Sequence, residues 1–130
     1  MKVRFAAALA VAGLITVSCG GVVDPSKNVT ETFSGTLDPG NSTSFKMSVN
    51  NGGEFSVKIT ALAPSATAVV GTAWAFGANC DVLVQSNNFS TLNQPALSGA
   101  VLQKGTYCVA IYDIGTLTTS QNFTLSVSHP

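Results

Sequence analysis

At 130 residues the chain is one domain's worth of polypeptide. Six Lys+Arg balance six Asp+Glu and charged residues make up only 9% of the chain, against about 25% in soluble domains, which excludes a nucleic-acid binder working through a basic patch. Hydrophobic residues at 45%, with seven Phe, exclude disorder, because such a chain buries enough apolar surface to offset its ordering entropy.

The first element is an export segment. Met1-Lys2-Val3-Arg4 precedes an apolar run from Phe5 to Val17, and Ser18-Cys19-Gly20-Gly21 follows. This is the pattern of a signal peptide over residues 1–18; the run is too short for a membrane span, which needs about 20 apolar residues. Val17-Ser18-Cys19-Gly20 resembles the lipobox of bacterial lipoproteins, with Thr16 where that family usually has Leu. The resemblance implies cleavage before Cys19, a diacylglyceryl group on its thiol with a further fatty acyl chain such as palmitate, and a protein anchored to a bacterial membrane on the periplasmic or cell-surface side. Ordinary cleavage near the same point would instead release a secreted protein. Residues 19–28, with Gly20-Gly21 and Asp24-Pro25, read as a flexible tether, and residues 29–130 as the folded domain.

From there apolar and polar residues alternate repeatedly, the period of a strand with one buried face. Phe33 and Leu37 lie in the first run, closed by a turn at Asp38-Pro39-Gly40-Asn41; Phe45, Met47 and Val49 form the second, closed by Asn50-Asn51-Gly52-Gly53; Phe55, Val57, Ile59 and Ala61 form the third. Thr67–Phe76, bounded by Pro64 and Gly77, reads as a strand buried on both faces or broken at Gly71. Asp81–Gln85 is a short strand before an Asn/Ser-rich loop from Ser86 to Pro95. Leu97–Leu102, Thr106–Tyr112 and a closing strand through Phe123, Leu125 and Val127 follow, the last after a loop from Asp113 to Ser120. About eight short strands without helical periodicity predict an all-β fold, an antiparallel β-sandwich of jelly-roll type. The expected core is Phe33, Phe45, Val57, Ile59, Tyr107, Val109, Ile111, Phe123, Leu125 and Val127.

Asp81-Val82-Leu83-Val84, Gly105-Thr106-Tyr107-Cys108-Val109-Ala110-Ile111 and Phe123-Thr124-Leu125-Ser126-Val127, with the opening Phe33-Ser34-Gly35-Thr36-Leu37, resemble strands of the bacterial pre-peptidase C-terminal domain. The resemblance spans Thr30 to Val127. It implies a jelly-roll β-sandwich with an accessory or binding role and no catalysis of its own. The family usually sits beside a catalytic domain, so this copy is expected to act alone, and the chain carries fewer acidic residues around the Asp81–Val84 strand than the family does.

The side chains available for chemistry are few. The single His, the residue type most used for acid–base work, is His129 near the end of the chain, where fraying is expected; one His cannot complete a blue-copper site, and a Ser-His-Asp triad needs its His on a supported element. Asp81 and Asp113 lie near strand ends and are the weak metal candidates, for Ca²⁺ shared with loop carbonyls; the preferred reading is that each caps a turn. Trp74 and Phe76 either pack in the core or, exposed on a sandwich face, stack on sugar rings, and with Asn87 and Asn88 they are the candidate ligand contacts. Cys80 and Cys108, an even pair in an exported chain, are expected to form a disulfide, although Cys108 alternates with inward Tyr107 and Val109 and so faces the outer side. The Asn-x-Ser/Thr triplets at Asn28, Asn41, Asn88 and Asn122 follow from a composition rich in Ser, Thr and Asn. The expectation is a non-catalytic cell-envelope lipoprotein without cofactor, partnered by the membrane through its lipid and by an envelope polysaccharide or protein, not by nucleic acid. Its candidate contact loops are Ala63–Ala66, Ser86–Pro95 and Asp113–Ser120. A small secreted hydrolase or protease inhibitor is the alternative.

Overall fold

A computed structural model describes residues 25–130; the expected export segment, Cys19 and most of the expected tether lie outside the described residues. Eight strands follow a short 3-10 turn: β1 (Val29–Leu37), β2 (Ser42–Val49), β3 (Gly53–Ala63), β4 (Val70–Phe76), β5 (Val82–Ser90), β6 (Pro95–Val101), β7 (Gly105–Tyr112) and β8 (Gln121–His129). They form two four-stranded antiparallel sheets, one in the order β1-β8-β3-β6 and the other β2-β7-β4-β5. This is the strand order of a jelly-roll sandwich.

The alternation read from sequence is the alternation of burial. Phe55, Val57 and Ile59 on β3, Val109 and Ile111 on β7, and Phe123, Leu125 and Val127 on β8 point into one continuous core. A bulge on β3 between Ile59 and Ala61 shifts the phase by one, so Leu62 rather than Ala61 turns inward. Phe33 and Phe45, expected in the core, are half-buried: they stack at 4.9 Å between centroids on the edge strands β1 and β2 and close the side of the sandwich.

Two boundaries differ from the sequence expectation. β4 begins only at Val70, and β5 continues to Ser90 through the polar Gln85–Asn88 stretch. Pairing to β4, from Phe76↔Val82 to Val70↔Ser90, supplies the backbone partners that local propensity does not signal, with register irregularities along the way. The connection to β6 shrinks to Thr91–Gln94.

The connections sort to two ends. Residues 50–52, 77–81 and 102–104 lie at the end where the chain enters β1 and leaves β8; residues 38–41, 64–69, 91–94 and 113–120 lie at the opposite end. That division places every candidate site. The Cys80–Cys108 disulfide, with Cα atoms 5.6 Å apart, sits near the entry end and ties the β4–β5 connection to the outer side of β7; Cys108 faces outward yet is only 1% exposed.

Candidate functional site

The end opposite chain entry carries four connections of a rigid sandwich, including the two longest, 64–69 and 113–120, and such loops are the usual place for binding function. Its organising residue is Asp113, at the end of β7. The Oδ1 atom accepts the backbone N–H groups of Gly115, Thr116 and Leu117 at 2.8, 3.0 and 3.1 Å, which winds the 113–120 loop around one carboxylate. Its Oδ2 accepts the N–H of Gly40 at 2.8 Å, and the backbone N–H of Asp113 donates to the Asn41 carbonyl, so the β1–β2 turn is held to the same residue. The Gly40 N–H, and then those of Leu117, Gly115 and Thr116, hold the Asp113 carboxyl below its ordinary value against a smaller opposing effect of desolvation.

Gln121, 2% exposed, provides the second tie: its Oε1 accepts the N–H of Ser65 at 3.0 Å, and its Nε2 donates to the carbonyl and hydroxyl of Thr119. Thr116 donates its hydroxyl to the Val69 carbonyl, and Ser120 donates to the carboxylate of Asp38. Loops 64–69 and 113–120 are thereby locked side by side around a hollow of about 230 Å³, lined by Ser65, Ala68, Val69, Leu117 and Thr116–Thr119. The only charged residues in the four connections are Asp38 and Asp113, and both carboxylates are engaged in these bonds. What the end offers a ligand is neutral: hydroxyls, amides and a few apolar groups.

Several expected site residues are committed elsewhere. Trp74 is fully buried, stacked between Phe55 at 4.4 Å and Tyr107 at 5.2 Å, and Phe76 packs half-buried against Tyr107; of the two readings the sequence left, these rings take core packing and not an exposed ligand face, because β4 is an interior strand whose side chains meet both the opposite sheet and neighbouring strands. Asn87 lies within β5, donating Nδ2 to the Ala96 carbonyl and accepting the Phe89 N–H. Asn88 accepts the Tyr112 hydroxyl. Gly71 makes room for that Tyr112 ring, which a Cβ at this position would strike. Asp81 and Asp113 sit at opposite ends of β7, roughly 25 Å apart at 3.3 Å per residue, so they share no ion; among the described residues no three His, Cys, Asp or Glu side chains come together as a metal site.

His129 corrects another expectation. It is not frayed: it ends β8 opposite Val29, is 1% exposed, and places Nε2 2.9 Å from Glu31 Oε1. Sequence reasoning passed over Gln121, whose signal was a long amide at the first position of a strand facing inward. It also passed over a second hollow, open and about 510 Å³, on the outer face of the β1-β8-β3-β6 sheet. There Ser128, Ser56 and Ser98, three of its lining residues, align across β8, β3 and β6, and Asn28 spends its amide on the Glu54 carbonyl and the Ser128 hydroxyl. No family model and no curated protein matches the chain.

Proposed function

We propose that the protein is a non-catalytic, lipid-anchored binding module of the bacterial cell envelope, whose loop end opposite the tether holds a neutral envelope polysaccharide. The observation that carries this reading is the preorganised end: Asp113 and Gln121 fix two loops around a hollow without leaving a free charge. Loops already ordered cost little entropy to engage, and a surface of hydroxyls and amides suits hydrogen bonding to neutral polymer. The jelly-roll order agrees with the resemblance to the pre-peptidase C-terminal domain. Anchoring at Cys19 rests on the Val17-Ser18-Cys19-Gly20 pattern, and the topology agrees with it, since the chain enters at the end away from the loops.

A glycan array and purified envelope polysaccharide, probed with wild type, Thr118→Arg and Thr32→Arg, test the reading. Thr118 is exposed at the rim of the hollow and Thr32 on the outer sheet face. Binding that falls at least ten-fold in Thr118→Arg and is kept in Thr32→Arg is expected. Absence of binding, or equal binding by both variants, overturns the loop end as the polysaccharide site.

A further inference from the structure

We infer that the entry end of the sandwich is a lipid-contacting surface: Leu102, with Val82, Leu83 and Val84 beside it, seats the domain on the bilayer. The inference rests on the lipid-anchored reading above. Among the described residues six large apolar side chains are exposed, and five of them, Val29, Val82, Leu83, Val84 and Leu102, lie at or within three residues of this end. Leu102, the first residue of the β6–β7 turn, is 90% exposed and Leu83 63%. Val82, Val84 and Leu102 share with Phe76, Ala100 and Tyr107 a hollow of about 170 Å³ at one corner. By the same measure the loop end has one, Phe89, 79% exposed and two residues before the 91–94 connection. Apolar groups so unevenly placed mark a contact surface.

The length of chain leading to Pro25 supplies the occupant. Cys19 and Pro25 are six positions apart, and even fully extended that stretch reaches only about 20 Å. An acylated Cys19 therefore holds this end, and not the loop end, against the membrane. The charges here form no basic patch, Lys27 and Lys104 standing against Glu31, Glu54 and Asp81, so the contact is apolar insertion of the kind that complements an acyl anchor and not attraction to anionic headgroups. Pairing of β5 with a second copy is disfavoured by the irregular register opposite Val70–Thr72 and Trp74–Ala75, because bulges turn a strand edge away from further pairing. Seated in this way, the domain stands upright with its loop end directed away from the bilayer.

The test uses the full acylated protein in phosphatidylethanolamine–phosphatidylcholine vesicles with and without lipids brominated high on the acyl chain. Leu102→Trp reports the entry end and Thr118→Trp the loop end; both replaced side chains are exposed, so folding is preserved, and the buried Trp74 gives a constant background. Emission from Trp at position 102 is expected to fall at least two-fold with brominated lipid and to be insensitive to high salt, while the reporter at position 118 does not change. Acylated protein in which neither reporter is quenched, or both are quenched equally, overturns the docking and leaves the anchor intact. Protein that carries no acyl group and does not float with vesicles overturns the anchor, and the docking with it. A concentration-dependent blue shift at position 102 without vesicles would assign the surface to a second copy and also overturn the proposal.

Discussion

Trp74 occupies the centre of the core with its indole between the rings of Phe55 and Tyr107, and its Nε1–H meets no acceptor. Its bulk stabilises the fold while its polar atom costs stability. Trp74→Ala is therefore expected to lower unfolding stability by about 3–5 kcal/mol, and Trp74→Phe by distinctly less, since the removed N–H had no partner; urea titration of the three proteins checks the order. Loss of ligand binding in Trp74→Ala would accordingly report lost packing. Asp113 acts through backbone N–H groups. Because those bonds depress its folded-state value below the ordinary 3.8, its contribution to stability is fully present above that pH and is lost as pH falls through the folded value. Asp113→Asn should melt at lower temperature than wild type near neutral pH and show a smaller further loss on acidification. Melting curves followed by circular dichroism from neutral pH downward measure both effects.

At the scale of elements, the β4–β5 connection is short and carries Cys80 with a positive φ, and the disulfide fastens it to the central strand β7. Cys80 and Cys108 are 28 positions apart, and in the chain-entropy model a loop of that size corresponds to roughly 3–4 kcal/mol. A Cys80→Ala/Cys108→Ala double variant is expected to lose about that much in urea unfolding under non-reducing conditions, and to match the reduced wild type. Equal stability of the oxidised wild type and the double variant would show that the bridge does not constrain the unfolded chain. β5 shows what element-level reading misses. Val82–Val84 is recognisable as strand, but Gln85–Ser90 has the composition of a loop, and only β4 alongside makes it extended.

For the whole molecule, the terminal strands are partners: β1 pairs with β8, which lies between β1 and β3 in its sheet. Deleting residues 121–130 would strip ladder partners from two strands and remove Phe123, Leu125 and Val127 from the core. Such a chain is expected to lose its cooperative unfolding transition and the dispersed amide spectrum of a folded β protein. The sandwich class, most strand positions and the Cys80–Cys108 pairing were legible in the sequence, because period-2 alternation records which face of a strand is buried and the two cysteines of the strand-forming region have one partner each. Local pattern carries no record of what lies across the sheet or at the same end of it. Thus the burial of Trp74, the pairing of His129 with Glu31, the convergence of Asp113 and Gln121 on two distant loops, and the gathering of Val82–Val84 and Leu102 where the chain enters were decided only by tertiary structure, through contacts between residues tens of positions apart.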